Sequence, residues 1–179
     1  MLYTSVFKSH LGDITLACDE EFLVGLWFEG QKYFGSTLHT DAETNDNLPL
    51  VLLVKDRLRR YFAGEKPDFK EIPIAPSGSS FRKAVWEVLC EIPYGSTVTY
   101  GMIAKKFATM LGKKSMSSQA VGNAVGHNPI SVIIPCHRVV GTGGSLTGYA
   151  GGVARKLELL RLEGADMRGL YVPKTGTAL

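Results

Sequence analysis

The chain begins with short runs of β-branched and aromatic residues that alternate with polar turns. The runs cover residues 3–7, 14–18 and 23–28, and the segments SHLGD and DEE lie between them. Runs of this length and composition, bounded by turn residues, are typical of β-strands. The pattern predicts a small antiparallel sheet.

A helix is predicted next, because residues 35–47 are polar and loop-like but residues 48–62 carry apolar side chains at helical spacing and end before Gly64. Ile72 and Ile74 suggest one more strand, and Pro76-Ser77-Gly78 follows as a plausible domain joint. We therefore expect an N-terminal domain over residues 1–76 and a C-terminal domain over residues 77–179. The apolar positions of the predicted helix are Leu52, Leu53, Leu58, Tyr61 and Phe62.

Beyond the joint the apolar spacing becomes helical. A first helix is predicted from Phe81 to Leu89, with Ser79 or Ser80 as its cap. Thr99 is placed to cap a second helix, and Ser117 or Ser118 to start a third with the sequence QAVGNAVG. The second and third helices together indicate a helix-turn-helix.

The third predicted helix has unusually small side chains. Val121 and Val125 form a narrow inward stripe, and each interior glycine costs about 1 kcal/mol relative to alanine, so some partner must approach the backbone closely. Either a neighbouring helix or DNA fits that requirement. A helix without long polar side chains suits shape-driven contact in the minor groove better than base reading in the major groove. The nearly bare positions are Ala120, Gly122, Asn123, Ala124 and Gly126.

The C-terminal part of the chain starts with an apolar β-branched run, residues 130–134, which Pro135 breaks directly before Cys136. A glycine-rich loop, GTGGSLTGYAGG, follows. A last helix is predicted over residues 153–163 and closes at Gly164.

Composition places the chain among ordinary soluble globular proteins, since 45% of its 179 residues are hydrophobic and 21% are charged. No apolar run approaches the roughly 20 residues that span a bilayer, and the first residues lack the apolar stretch of a secretory signal. We therefore expect a cytoplasmic protein that does not bind membranes.

Charge is distributed unevenly between the two predicted domains. Residues 1–76 hold 8 Lys and Arg against 12 Asp and Glu, a net charge of −4, whereas residues 77–179 hold 12 against 5, a net charge of +7. The C-terminal part is therefore the one to test for a polyanionic partner, although lysines and arginines on solvated helix faces are common.

The cysteine and histidine content argues against both a disulfide framework and a metal site. Three cysteines, Cys18, Cys90 and Cys136, lie far apart, and an odd number favours reduced thiols. No CxxC or HxxxH spacing occurs, so no metal is expected. The histidines that could join a zinc site are His10, His39, His127 and His137.

Cys136 is the main candidate for chemistry because His137 and Arg138 follow it directly. A thiol with a pKa near 8.5 becomes a good nucleophile only when its thiolate is favoured. Adjacent residues in an extended strand point to opposite faces, so a contact between Cys136 and His137 needs a turn, which Pro135 permits. A buried, inert cysteine beside a surface histidine is the alternative, and that interpretation also applies to Cys90 within the apolar face of its helix.

The segment IPCHRVV resembles the active-site motif of the O6-alkylguanine-DNA alkyltransferases, also called methylated-DNA-protein-cysteine methyltransferases. Further similar segments occur in the family's order: FRKAVWEVL, IPYGSTVTYGMIA, AVGNAVGHNPI, GYAGG and LLRLEG. The first 76 residues resemble the small N-terminal domain of that family. The resemblance implies an α+β fold, with an RNase H-like antiparallel sheet domain and a helical C-terminal domain that carries a winged-helix-like helix-turn-helix.

The resemblance also implies a role for each matching residue. Cys136 would accept the alkyl group in a single turnover, His137 would act as base through a bridging water, and Glu163 would orient the imidazole. Asn128 would hold the active-site segment, and Tyr100 would donate a proton toward N3 of guanine. Backbone groups of Cys136, Val139 and Ala150 would read the base edge. The predicted substrate pocket comprises Val139, Tyr149, Ala150 and Gly151.

The partner implied by the resemblance is double-stranded DNA containing O6-alkylguanine, bound through the minor groove without sequence preference by a monomer that needs no cofactor. The damaged base would be flipped out of the duplex, and Lys105, Lys113 and Lys114 could contact phosphates. O4-alkylthymine is a further possible substrate. The residues expected to contact DNA are Gln119, Ala120, Gly122, Asn123, Ala124 and Arg138.

One position departs from the family pattern. Many members have an arginine at the start of the recognition helix, where it fills the gap left by the flipped base, but this chain has Gln119 there. We expect retained activity with altered flipping. Two other functions fit parts of the pattern: a non-transferring alkyltransferase-like protein, whose members usually have tryptophan at the position of Cys136, and a cysteine hydrolase that uses Cys136 and His137.

Overall fold

The computed structural model describes residues 1–38 and 41–174 and divides the chain into two compact units. The first unit comprises Met1–Gly78 together with Pro129–Ile133, and the second comprises Ser79–Asn128 together with the chain from Ile134 onward. The short segment 129–133, which follows the third predicted helix in sequence, therefore belongs to the first unit.

The first unit is built on a four-stranded sheet that consists of β1 (Leu2–Ser9), β2 (Gly12–Cys18), β3 (Leu23–Phe28) and β4 (Ala42–Thr44). The order of the strands in the sheet is β3-β2-β1-β4. Strands β1 and β2 are antiparallel, as are β2 and β3, so the predicted antiparallel sheet is confirmed over three strands. The fourth strand pairs with β1 in parallel and lies in the stretch predicted to be a loop.

Helix α1 (Pro49–Phe62) carries proline in its first turn, where a missing amide hydrogen does no harm. Its buried face consists of Leu50, Val51, Val54, Leu58 and Tyr61. The sequence placed Leu52 on that face, and this was wrong, because Leu52 is 54% exposed.

The predicted strand near Ile72 and Ile74 reduces to a single parallel bridge between Leu23 and Ile74, after a 3₁₀ turn at Phe69–Glu71. The apolar run at residues 130–134 is likewise no strand. It makes one bridge, between Leu26 and Ile130, and then turns sharply at Val132, whose φ is 70°.

The second unit contains four helices among the described residues: α2 (Ser80–Cys90), α3 (Tyr100–Met110), α4 (Ser118–Gly126) and α5 (Val153–Leu162). Three predicted caps are confirmed. The side chains of Ser79, Thr99 and Ser117 each accept a hydrogen bond from the amide three residues ahead.

A two-stranded parallel sheet joins β5 (Val98–Thr99) to β6 (Val139–Val140). The indole of Trp86 on α2 donates to the carbonyl of Ala124 on α4 at 2.8 Å, which fixes these two helices together. Helix α5 starts after Gly152 and ends at Glu163, so that carboxylate stands at the helix C-terminus.

No helix among residues 1–38 and 41–174 combines the length and the apolar character that crossing a bilayer requires.

Candidate active site

Cys136 lies in a tight turn. Its amide donates to the carbonyl of Ile134 at 2.8 Å across Pro135, and it is the first residue of a 3₁₀ helix, Cys136–Arg138. The turn takes Cys136 and His137 out of an extended strand, as the chemistry requires. The side chain of Cys136 is only 3% exposed.

The amide nitrogen of Asn128 donates to two acceptors in this turn. It lies 2.9 Å from the carbonyl oxygen of Ile134 and 3.0 Å from Sγ of Cys136. Asn128 follows directly on helix α4, so its side chain links the end of that helix to the reactive segment. A donor aimed at sulfur favours the thiolate over the thiol.

Burial raises the pKa of the Cys136 thiol, and several groups oppose that effect. The hydrogen bond from Asn128 lowers the pKa, as do the ammonium of Lys156 and the backbone amides of Cys136 and His137. The turn therefore surrounds a desolvated sulfur with hydrogen-bond donors and one cation. Such a site keeps the thiol inert until a base removes its proton.

His137 is fully buried, and its Nε2 lies 2.6 Å from Oε1 of Glu163. An ionised carboxylate only accepts hydrogen bonds, so Nε2 carries the hydrogen and Nδ1 carries the lone pair. Nδ1 has no hydrogen-bond partner among the described residues. Burial lowers the pKa of His137, and the hydrogen bond that Nε2 donates to Glu163 only partly offsets this, so the ring is neutral and can accept a proton.

The carboxylate of Glu163 binds both His137 and Arg138. Burial by itself would raise the pKa of its carboxyl, but hydrogen bonds from His137 and Arg138 hold it well below its usual range. The backbone amide of Gly95 adds a further hydrogen bond at 3.1 Å. Glu163 is therefore a permanent anion that fixes the ring of His137.

Arg138 was expected to contact DNA, and the structure corrects this. Its side chain is 9% exposed, and its guanidinium donates two hydrogen bonds to the carboxylate of Glu163, at 2.8 and 3.0 Å. A third bond, at 2.6 Å, reaches the carbonyl of Ile92. A guanidinium committed to a buried carboxylate and a carbonyl is not available to phosphate groups.

Tyr100 lines an open cavity of the second unit. Its hydroxyl donates to the carbonyls of Thr147 and Gly148, both at 3.2 Å. Burial, together with the charge on Cys136, raises the pKa of Tyr100, so the phenol keeps its proton. Gly148 has no room for a side chain, because a Cβ atom there would lie 2.4 Å from the Tyr100 hydroxyl.

The cavity beside Tyr100 has a volume of about 390 Å³ and lies between helices α3 and α4 and the glycine-rich loop. Gln119 and Asn123 from α4 face it, together with Thr142 from the loop. Its other lining residues are Gly101, Ser118, Gly122, Thr147 and Gly148. Cys136 is not among the lining residues of this cavity.

Helix α4 exposes part of the predicted DNA surface and buries the rest. Gln119, Ala120 and Asn123 are exposed and Gly122 is partly exposed, whereas Ala124 is 1% exposed and faces α2. Ala124 is therefore a packing residue, and its expected contact with DNA is corrected. Its small side chain allows Trp86 to reach its carbonyl.

The basic residues expected near DNA, Lys105, Lys113 and Lys114, are all exposed on α3 or the loop after it. Sequence reasoning missed Arg82 on α2, whose guanidinium lies 3.5 Å from the side-chain oxygen of Asn123. That proximity depends on how α2 packs against α4, and no local pattern reveals it.

The expected base-reading groups are only partly available. The amide of Cys136 is engaged by Ile134, the amide of Val139 by Cys136, and the carbonyl of Val139 by Lys156. The expectation that the backbone of Cys136 and Val139 reads the base therefore needs revision. Val139 and Tyr149 are buried, as is Gly151, and Ala150 is partly exposed.

Lys156 is the functional candidate that sequence reasoning missed. It is fully buried on helix α5, on the same face as Leu159 and Leu160. The available signal was a lysine at an inward position of an otherwise amphipathic helix.

The remaining thiols and histidines do not form a second site in the part of the chain that the structure describes. No group of three or more His, Cys, Asp or Glu side chains there could hold a metal ion. Cys18 is buried, but Cys90 is exposed, which corrects the expectation of a buried thiol. His39 lies outside the described residues.

The fold and this site define a two-domain protein in which a helical domain presents a buried cysteine, a histidine-carboxylate pair and an adjacent surface helix. Comparison with known families gives two matches. Residues 2–76 match the ribonuclease-like domain of 6-O-methylguanine DNA methyltransferase, and residues 80–165 match its DNA binding domain. The chain belongs to the 6-O-methylguanine DNA methyltransferase family.

Individual relatives support the same assignment. The chain is 42% identical to a methylated-DNA–protein-cysteine methyltransferase of Methanosarcina acetivorans, over 92% of this chain and 99% of that protein. The corresponding Haemophilus influenzae protein is 38% identical, over 90% of this chain and 86% of that protein.

A solved relative is also similar in structure. Mycobacterium tuberculosis OGT in complex with DNA superposes with a TM-score of 0.77 at 38% identity, covering 91% of this chain and 92% of that one.

Proposed function

We propose that this protein repairs DNA by moving an alkyl group from O6 of guanine to Sγ of Cys136, and that each molecule acts once. Membership of the methyltransferase family supplies the reaction class. The observation that carries the proposal is the orientation of His137. Because Glu163 binds Nε2 at 2.6 Å, the basic Nδ1 is left for the proton of the neighbouring thiol.

The reaction balances with the groups present. His137 takes the thiol proton through a bridging water, and the thiolate of Cys136 attacks the alkyl carbon. The S–C bond forms as the C–O6 bond breaks, and the electron pair of that bond stays on guanine. The guanine anion then takes up a proton. The thioether that remains is not displaced by water, so the protein is consumed.

Tyr100 is the proposed donor to the departing guanine. Its pKa is raised, so the phenol remains protonated and can donate to N3 as negative charge develops there. In this structure the hydroxyl is bound to the carbonyls of Thr147 and Gly148. An entering base would replace these two carbonyls as the acceptor, and that exchange opens the way to the buried sulfur.

DNA would be bound through helices α3 and α4, acting as a helix-turn-helix. The exposed face of α4 has small side chains at Ala120 and Gly122, which suits close approach of its backbone to the minor groove. Exposed lysines at positions 105, 113 and 114 would contact phosphates without reading sequence. The Mycobacterium tuberculosis relative, solved in complex with DNA, supports a nucleic-acid partner for this fold.

The damaged nucleotide would be flipped out of the duplex, because O6 of guanine cannot meet a buried sulfur while the base is stacked. The cavity of about 390 Å³ beside Tyr100 is the proposed entry, with Gln119 at its edge to fill the gap in the duplex. Activity on O4-alkylthymine, action as a monomer without a cofactor, and a cytoplasmic location stay predictions.

The stoichiometry of repair tests this function. Increasing amounts of a duplex that carries one O6-methylguanine are mixed with a fixed amount of protein, and restored guanine is measured after the reaction stops. We expect one guanine restored per protein molecule and none from Cys136→Ser. Restoration of many equivalents would instead identify a hydrolase, and binding without any restoration would identify a non-transferring lesion-binding protein.

A further inference from the structure

Lys156 has an environment that is unusual for a lysine. Its side chain is fully buried, and its ammonium donates hydrogen bonds to the carbonyl oxygens of Val139 and Thr147, the latter at 2.8 Å. Among the described residues no carboxylate lies within ion-pair distance of it. Burying an ammonium without an anionic partner is costly. Packing alone therefore does not explain why a lysine occupies this buried position.

The two hydrogen bonds of Lys156 join separate parts of the site. Val139 follows the turn that holds Cys136, and Thr147 lies in the glycine-rich loop, where its carbonyl also accepts from Tyr100. The ammonium lies 5.9 Å from the centre of the Tyr100 ring. Lys156 thus links the turn that holds Cys136 to Thr147, which lines the cavity beside Tyr100.

The ionisable group that acts on the charge of Lys156 is Cys136. Lys156 lowers the pKa of the thiol, and an ionised Cys136 raises the pKa of the lysine in return. Burial has the larger effect on the lysine and lowers its pKa to about 8. A pKa of about 8 leaves the lysine mostly protonated at neutral pH.

The other charged groups near the sulfur compensate one another. The anionic Glu163 is held by the guanidinium of Arg138 and by the neutral ring of His137. Tyr100 is kept uncharged by the rise in its pKa. Lys156 is thus the one buried cation of the described site that an ionised Cys136 would balance.

We propose that Lys156 is a positioning residue for alkyl transfer, which provides the counter-charge for the Cys136 thiolate and fixes the reactive turn against the glycine-rich loop. This inference rests on the proposed function, because it assigns Lys156 to the same reaction. It adds no covalent step. The proton of Cys136 still goes to His137, and the lysine keeps its own.

Titration of the Cys136 thiolate in the absence of DNA separates this inference from the function itself. The ultraviolet absorbance of the thiolate is followed against pH, and the same curve from a matched Cys136→Ser protein is subtracted to remove the other thiols and the tyrosines. The variants are Lys156→Met, which removes the charge, and Lys156→Arg, which keeps it. Arg161→Met is the control, because it removes an exposed cation from the same helix.

In Lys156→Met we expect the thiol pKa to rise by at least one unit, so the thiolate fraction at neutral pH falls about tenfold or more. Single-turnover transfer from a methylated duplex should fall in parallel at neutral pH and recover as pH rises. Lys156→Arg and Arg161→Met should titrate close to the unmodified protein.

A Lys156→Met curve that coincides with the unmodified curve would overturn the inference, even if transfer were slower. Lys156→Gln, which keeps a donor but no charge, gives the same decision if the methionine variant does not fold. If the titration shifts but the unmodified protein transfers no methyl group, the proposed function fails and the electrostatic pairing stands.

Discussion

The imidazole of His137 and the carboxylate of Glu163 form a buried pair, with Nε2 of the ring 2.6 Å from Oε1 of the carboxylate. Both side chains are shielded from solvent. The pair fixes the tautomer of His137 and leaves Nδ1 as the basic atom. Because the ring is buried and neutral, it also makes the stability of the protein depend on pH.

Acidification should destabilise the protein through His137. Folding lowers the pKa of this ring below its ordinary value of 6.5. As the pH falls below 6.5, the histidine therefore binds a proton in the unfolded chain but stays neutral in the folded protein. The free energy of unfolding should therefore decrease as pH falls, by up to about 1.4 kcal/mol per pH unit, until the folded pKa is reached. Denaturant unfolding at a series of pH values measures this slope.

His137→Gln should flatten that pH dependence, because the side chain no longer titrates. His10→Gln, which removes an exposed histidine from the first unit, should leave the slope nearly unchanged. Equal slopes for the unmodified protein and His137→Gln would show that the buried ring is not the source.

Arg138 should contribute to stability rather than to DNA binding. Arg138→Met leaves the Glu163 carboxylate buried without its cation, and breaking a buried ion pair in this way costs about 3–5 kcal/mol. Arg138→Lys should cost less, since it keeps the charge but not the two-bond geometry. Denaturant unfolding measures both changes.

The matched control for Arg138 is Arg161→Met, which breaks an exposed ion pair with Glu158. Such pairs contribute at most about 1 kcal/mol. If Arg138→Met costs no more than Arg161→Met, the buried ion pair does not have the role assigned to it.

Gly122 should allow the backbone of helix α4 to approach DNA closely. A Cβ atom added there meets only the ring of Tyr100, at 3.8 Å, which is ordinary contact. Gly122→Ala should therefore fold normally and gain up to about 1 kcal/mol of stability from helix propensity. Its affinity for duplex DNA should nevertheless decrease, because the added methyl group stands where the minor groove would lie.

Thermal unfolding and the fluorescence anisotropy of a labelled duplex are measured on the same Gly122→Ala protein. A stable variant with undiminished affinity would place the DNA on another surface.

Gln119 should matter only when a base must leave the duplex. It is exposed at the edge of the cavity beside Tyr100, where it can fill the gap that a flipped base leaves. Gln119→Ala should slow transfer from a duplex, while transfer from the free alkylated base, which needs no flipping, should stay unchanged. The proposed role fails if transfer from the duplex is equally fast in the variant.

Local patterns were sufficient to predict the helices and their caps. Ser79, Thr99 and Ser117 each accept a hydrogen bond from the amide three residues ahead, in the first turn of the helix. The sequence narrowed each cap to one or two neighbouring residues because the contact is local, and the structure selects Ser79 over Ser80 and Ser117 over Ser118. The three first strands were predictable for the same reason. The parallel strand β4 was not, because its pairing joins residues that are distant along the chain.

Side chains that the sequence misplaced are those whose surroundings come from distant segments. Arg138 looked like a surface cation, yet Glu163 and the carbonyl of Ile92 lie around its guanidinium in the folded chain. Ala124 looked like part of a bare outer face, but helix α2 covers it. The identities of Cys136 and His137 were visible in the sequence through the family motif, whereas the burial of His137, which the sequence placed at the surface in the alternative interpretation, was not.

Cys136 is the proposed acceptor of the alkyl group, and intact mass measures that role directly. The protein is weighed before and after it is mixed with a duplex carrying O6-methylguanine, and peptide mapping locates any change. We expect the mass of one added methyl group on Cys136, the same gain in Cys90→Ser and none in Cys136→Ser. An unchanged mass, or a methyl group on the exposed Cys90, would contradict it.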